Sequence, residues 1–271
     1  MFKFLKKLNS LYRRYDLIEE CNRLKKANKF IPSNYKSLIF FKPSVYEDFI
    51  HLLCFLDNRL NTTLIDIGAN IGEFSYNFLK FFPNTEKILL FEPQNHLNTK
   101  IKENLKNFNN YNIYNVGIGD ADEKKMLHYE KDRSYLGSFL EYEKEINSFY
   151  KNKNDNTKEV TIAKLDNYSE LIKKHKQIVV KIDVQGFEYK AIKGGLKFLK
   201  FCDILIMECS FLNEYKNTEP SFVNCAELLK KIDLYPIIFQ NFGNTISTYA
   251  YERDVIFVKK KLLNKIFYKN Y

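Results

Sequence analysis

From residue 63 onward, short apolar runs of strand length alternate with stretches of helical period, and no other feature of this sequence restricts its fold as tightly. The alternation marks βαβ units feeding a parallel sheet, because parallel neighbours must be joined by a crossover connection, usually a helix. Strands are expected at 64–67, 88–91, 113–118, 178–182 and 203–207, with helices at 72–82, 97–108 and 188–199. Two further apolar runs, 235–239 and 255–259, are joined by a Gly-Asn-containing loop too short for a crossover helix, so they should pair antiparallel at one sheet edge. The 271 residues suit one α/β domain with extensions.

Upstream, Phe4, Leu5, Leu8, Leu11, Tyr12, Tyr15 and Ile18 recur at three- and four-residue intervals among lysines and arginines, which predicts an amphipathic basic helix. A second helical pattern covers 45–60. Residues 1–62 are therefore expected as a helical extension, 63–260 as the α/β domain and 261–271 as a basic tail. Within the domain, 120–160 is polar and reads as an insertion over the carboxyl ends of the strands, with 147–158 a mobile loop.

The net charge of +10 lies at the chain ends. Nine basic and three acidic residues fall within the first 30, and five lysines with no acid within 255–271, so the centre is close to neutral. That distribution argues against a long phosphate-tracking groove, and no DNA partner is expected. The basic ends remain available to an anionic surface, as in peripheral membrane contact, while no apolar run approaches the roughly 20 residues of a transmembrane helix. The first residues show neither an apolar central stretch nor a small-residue cleavage site, so no signal peptide is expected and the location reads as cytoplasmic. Five dispersed cysteines without a CxxC pair, and four isolated histidines, predict reduced core thiols and no metal site.

Chemistry concentrates at three strand ends. Asp66-Ile67-Gly68-Ala69-Asn70-Ile71-Gly72-Glu73 stands between a strand and a helix, the first turn of a doubly wound sheet, beside the crevice where strand order reverses. A dinucleotide fingerprint begun at Gly68 would need glycines where Asn70 and Glu73 stand, and Glu73 would set a carboxylate where pyrophosphate should lie. S-adenosylmethionine carries no phosphate but a sulfonium and an ammonium, which Asp66 and Glu73 suit. Glu92 ends the second strand, where a carboxylate's two oxygens match a ribose diol; its plainer role is to open the helix after Pro93. Val116 and Gly117, ending the third strand, would lie beside the adenine. Lys181-Ile182-Asp183-Val184-Gln185-Gly186-Phe187-Glu188 ends the fourth strand, with Asp183 the candidate base, Glu188 beside it and Glu208 a further acid ending the fifth. Lys181 and Glu188 could equally belong to a structural ion network.

Taken together, LIDIGANIGEFS at 64–75, FEP at 91–93, TIAKLDNY at 161–168, KIDVQGFEYKAIKGG at 181–195 and DVIFVKK at 254–260 resemble the FkbM-type methyltransferase family. The resemblance implies a seven-stranded class I methyltransferase (Rossmann-like) sheet, S-adenosylmethionine as donor, and O-methylation of a sugar or natural-product hydroxyl. It implies that Asp66, Gly68, Asn70 and Gly72 line the cofactor, with Ala69 inside the same turn, and that Glu92 holds its ribose. The family commonly has Glu where this chain has Gln185, which moves acid–base roles to Asp183 and Glu188. The alternatives are an RNA 2′-O-methyltransferase, a nicotinamide-dependent oxidoreductase and a non-catalytic nucleotide-binding or interaction protein.

Overall fold

The computed structural model describes residues 49, 52, 53, 55–129, 134, 137–140, 156–211, 215, 221–239 and 252–267. The chain divides into two units, Met1–Asn58 and Arg59–Tyr271. In the first, the described residues Phe49, Leu52, Leu53 and Phe55 are helical, within the second predicted helix. The amphipathic pattern at 4–18 lies outside the described residues.

The second unit is built on a seven-stranded sheet. Its elements in chain order are β1 (Thr62–Ile67), α1 (Glu73–Phe81), β2 (Thr85–Phe91), α2 (Asn98–Asn104), β3 (Tyr111–Tyr114), β4 (Gly117–Gly119), β5 (Glu123–Tyr129), β6 (Asn156–Lys164), β7 (Gln177–Ile182), α3 (Glu188–Lys193), α4 (Leu196–Leu199), β8 (Ile204–Ser210), α5 (Ser221–Lys230), β9 (Leu234–Phe239), β10 (Glu252–Lys259) and α6 (Lys260–Phe267). The large sheet runs β3-β2-β1-β7-β8-β10-β9. Neighbours from β3 through β8 are parallel, whereas β10 is antiparallel to both β8 and β9. This is the doubly wound, class I methyltransferase order, with the edge pair predicted from the short 235–259 segment in place.

β1 and β7 sit at the centre, and all six residues of each are buried. A parallel strand covered on both faces is largely apolar in its middle, here residues 64–65 and 178–180, while the buried polar residues Thr62, Thr63, Asp66, Gln177 and Lys181 lie toward the strand ends. On one face Ile65, Ile67, Val180, Ile182, Leu205 and Phe257 join a core closed by Ile192 and Phe198 from α3 and α4 and by Cys225 and Leu229 from α5. By strand alternation Leu64, Val179, Ile206 and Ile256, all fully buried, face the other way. Strand order reverses between β1 and β7, which opens a crevice beyond their carboxyl ends.

Three expectations need correction. The strand expected at 113–118 stops at Tyr114, and Gly117–Gly119 instead opens a second sheet of order β4-β6-β5. Glycine permits the switch: a Cβ on Gly117 would lie 2.8 Å from Ile162 Cδ1, and one on Gly119 2.7 Å from Ile162 Cγ2. Val116 and Gly117 therefore do not end the third strand; Val116 packs on the main core. Second, the insertion is not structureless, because Glu123–Tyr129 pairs antiparallel with Asn156–Lys164 around Leu127, Val160 and Ile162. Residues 156–158 are thus strand, not mobile loop, while 147–155 lie outside the described residues. Third, the helix expected at 188–199 breaks at Gly194 and Gly195, where a Cβ on Gly194 would lie 1.9 Å from Gly119 O. At the other end, residues 261–267 of the expected tail belong to a helix that begins at Lys260.

Candidate active site

The turn after β1 is shaped by three left-handed residues: Gly68 (φ 79°), Asn70 (φ 48°) and Gly72 (φ 76°). Gly68 N and Ala69 N both donate to Phe91 O, at 2.9 and 3.1 Å, and Gly72 N donates to Ala69 O at 2.7 Å. Only glycine fits at 68, since a Cβ there would stand 1.8 Å from Asp183 O. The first turn and the end of β7 are therefore in direct contact, and Asp183 N donates to Ile67 O at 3.0 Å. Asp66 lies beneath this turn, wholly buried, and accepts from Ser75 Oγ at 2.6 Å on Oδ2. Its Oδ1 is buried without a partner. Burial raises the Asp66 carboxyl above its ordinary pKa, and the nearby Lys181 ammonium only partly opposes that rise. Glu73 is exposed at the start of α1.

Glu92 closes the second strand end at 3% exposure. Its Oε2 accepts from Asn70 N at 2.8 Å and its Oε1 from Gln94 N at 2.9 Å. Burial pushes its pKa to about 7, against the pull of the two backbone N–H groups. Part of the insertion reaches this place. Ser134 Oγ donates to Asn70 Oδ1 at 2.7 Å, and Gln94 Nε2 donates to Ser134 O at 3.2 Å. A few residues on, Ser138 Oγ donates to Gln185 O at 2.7 Å. Residues 134 and 138 thus hold both the Asn70 side and the Gln185 side of the crevice, where sequence reasoning expected only a polar insertion.

Across the crevice, Lys181 is 9% exposed and its Nζ lies 2.8 Å from Asp183 Oδ2 and 5.4 Å from the centre of the Phe74 ring. Burial alone would lower the lysine's pKa, but the carboxylates of Asp183 and Asp66 overcome it and hold the ammonium protonated. Burial raises Asp183, and the Lys181 ammonium, with hydrogen bonds donated by Lys181 and Gln185, more than offsets this, leaving the carboxyl below the ordinary range. Gln185 Nε2 donates to Asp183 Oδ1 and to Glu208 Oε2, both at 2.9 Å. The amide therefore bridges two carboxylates. Asp254, in register with Glu208 across β10 and β8, adds a third acid, which burial raises to about 6. Sequence reasoning missed Asp254, although it opens the last quoted motif, because an acid near the start of a strand expected in an edge pair looks like ordinary solvent exposure.

The structure brings Asp183 and Glu208 together through the Gln185 amide and sets Glu188 against the backbone of the turn between them. Glu188 is buried, and its Oε1 accepts from Val184 N and Gly186 N, both at 3.2 Å. It ties down the turn in which Gln185 (φ 51°) and Gly186 (φ 93°) adopt left-handed backbone. Gly186 is needed there because a Cβ would meet the buried Tyr215 ring at 2.5 Å. Burial pushes Glu188 to about 7. Among the described residues no cluster of three or more His, Cys, Asp or Glu side chains has the arrangement of a metal site. Cys202, Cys209 and Cys225 are buried, and burial drives their thiols up, away from nucleophilic thiolate.

Comparison with known proteins supplies the family. The methyltransferase FkbM domain profile matches residues 66–243. No curated protein matches the chain significantly. Similar solved structures include methyltransferase FkbM from Methylobacillus flagellatus KT, at 12% identity over 90% of this chain and 60% of that one, with a TM-score of 0.47. They also include a rRNA methylase from Streptococcus thermophilus (11% identity, 81% of this chain and 98% of that one, TM-score 0.46). A third is precorrin-6y C5,15-methyltransferase from Geobacter metallireducens GS-15 (14% identity, 74% and 82%, TM-score 0.41). This chain spans 60% of the length of the FkbM structure. The profile match covers well over half the chain and includes all three strand ends just described, and on that ground the chain belongs to the methyltransferase FkbM domain family.

Proposed function

We propose that this chain is an S-adenosylmethionine-dependent O-methyltransferase whose acceptor is an uncharged hydroxyl, as on a sugar or glycan precursor. The observation that carries the reading is the meeting of three strand ends at the switch point: the glycine turn over the unpartnered Asp66 Oδ1, the buried Glu92, and the Asp183–Gln185–Glu208 bridge. When bound, the cofactor would supply an electrophilic methyl group on a sulfonium. The residues present suit it: Gly68 to Gly72 leave room for close backbone approach, Asp66 offers an acceptor for a cation, and Glu92 has carboxylate lone pairs beyond its two backbone bonds for a ribose diol. Val116, two residues past β3, and Gly117, which opens β4, would flank the adenine.

Asp183 is held ionised by Lys181 and is therefore a ready hydrogen-bond acceptor but a weak base. Its work in this reading is to orient the acceptor hydroxyl and to receive the proton only as the new carbon–oxygen bond forms. Orientation of this kind supplies about 7–11 kcal/mol in favourable cases and proton acceptance a further factor of about 10² to 10⁴ in rate. Glu188 supports the turn rather than the reaction. Asp183, Glu208 and Asp254 against one lysine make the mouth hostile to a phosphodiester, which favours a neutral acceptor over RNA.

Calorimetric titration with S-adenosylhomocysteine, then a methyl-transfer screen over neutral sugars and glycans, tests the reading. Saturable binding and Asp183→Asn that binds normally but transfers about 10²-fold slower or worse are expected. Absence of binding, or full turnover by Asp183→Asn, overturns it.

A further inference from the structure

The end of the sheet opposite the crevice carries a second surface. β7, β8 and β9 begin there and antiparallel β10 ends there, and the turns are tied together by the backbone. Lys259 N donates to Asp203 O and Lys260 N to Asp233 O, both at 2.9 Å, while Lys259 Nζ donates to Ile232 O at 2.6 Å. These bonds place Lys176, Lys200, Lys230, Lys231, Lys260 and Lys261 around one end of the domain, and all six are exposed. Opposing charge is outnumbered: Asp203 is buried and already engaged by Lys261 Nζ at 2.6 Å and by Ile178 N at 2.9 Å, and Asp233 is exposed beside Lys259. Apart from Lys261, these lysines stand exposed at the ends of separate strands and helices.

From this surface α6 departs directly. Its sequence alternates Lys260, Lys261 and Lys265 with Leu262, Leu263, Ile266 and Phe267, an apolar stripe at helical spacing beside a basic one. Leu262 and Leu263 are only half-buried. A short helix with a strongly basic face and a partly uncovered apolar face, set among further lysines, has the make-up of an interfacial helix. The six cations include no arginine, the side chain whose fork suits individual phosphodiesters; compact lysine charges suit a diffuse anionic plane.

We propose that this end of the domain docks on an anionic lipid surface, with α6 lying in the interface and the crevice facing away into water. The proposal does not depend on the identity of donor or acceptor.

Co-sedimentation of the full chain with phosphatidylcholine vesicles, with and without phosphatidylglycerol, tests it. The expected result is partition at least about tenfold higher onto the anionic vesicles, falling with added salt. Combined Lys230→Glu, Lys231→Glu and Lys260→Glu, none of which holds a buried partner, should weaken that partition by on the order of 100-fold while leaving thermal unfolding unchanged. Leu263→Ser should weaken it separately, through the apolar face. Equal partition onto both vesicle types, or an unaltered triple variant, overturns the proposal. Tighter binding to a single-stranded RNA probe than to anionic vesicles at the same salt also overturns it, in favour of a nucleic-acid surface.

Discussion

Replacing Gln185 with glutamate keeps the shape of the side chain and changes one property, the sign of what it offers to Asp183 and Glu208. In the native chain the amide nitrogen lies 2.9 Å from an oxygen of each carboxylate and donates to both. In Gln185→Glu a third carboxylate stands in its place. At about 4 Å and an effective dielectric near 20, two like charges repel by about 4 kcal/mol. The Asp183 side chain is 34% exposed and Lys181 already neutralises one charge, so solvent and counter-charge screening leave roughly 1–2 kcal/mol per pair. Two pairs raise the new carboxyl by about 2 pKa units above the usual value near 4.3, worth about 3 kcal/mol. The folded-state pKa is raised above the unfolded one, so the folded chain holds the proton longer and stability is lost as pH rises from about 4 through about 6. Below that window the protonated variant should trail wild type only by the one lost hydrogen bond, about 1 kcal/mol. Urea unfolding of both proteins at pH 4, 6 and 8 measures the difference. A deficit that is the same at all three values would refute the bridge as an electrostatic device, and no acceptor is required to obtain it.

Gly68→Ala should lose at least about 2 kcal/mol in urea unfolding, because the methyl would stand 1.8 Å from Asp183 O at a φ of 79°; a loss under about 0.5 kcal/mol would contradict the packing of the first turn against β7. The Glu92 carboxyl, pushed from 4.5 to about 7, makes the unliganded protein lose roughly 3 kcal/mol as pH rises between those values, because the folded state holds the proton that the unfolded state has released. Glu92→Gln should flatten that part of the thermal-stability profile, and a variant with the wild-type slope would argue against the assignment. Ser138→Ala removes a wholly buried hydroxyl that donates to Gln185 O and accepts from Leu140 N, and should cost about 1–2 kcal/mol in urea unfolding; a loss below about 0.3 kcal/mol would mean the insertion does not brace the turn.

The apolar runs at β1, β2, β7 and β8 announced themselves because a central parallel strand must be apolar on both faces, so chain order alone fixed the sheet's character and the strand ends at which Asp66, Glu92, Asp183 and Glu208 lie. Asn70 and Glu73, standing where a dinucleotide fingerprint begun at Gly68 needs glycine, likewise argued from sequence against that fingerprint. Periodicity could not find β4, which is short and depends on missing Cβ atoms at Gly117 and Gly119, nor β5 and β6, whose exposed faces make them read as polar loop. Nor could it divide labour among the acids. Whether a carboxylate faces a reactant, a backbone turn or a lysine depends on contacts between residues far apart in the chain. Only the tertiary structure set Glu188 beneath its own turn, placed Asp254 opposite Glu208, and put the amide of Gln185 between two carboxylates.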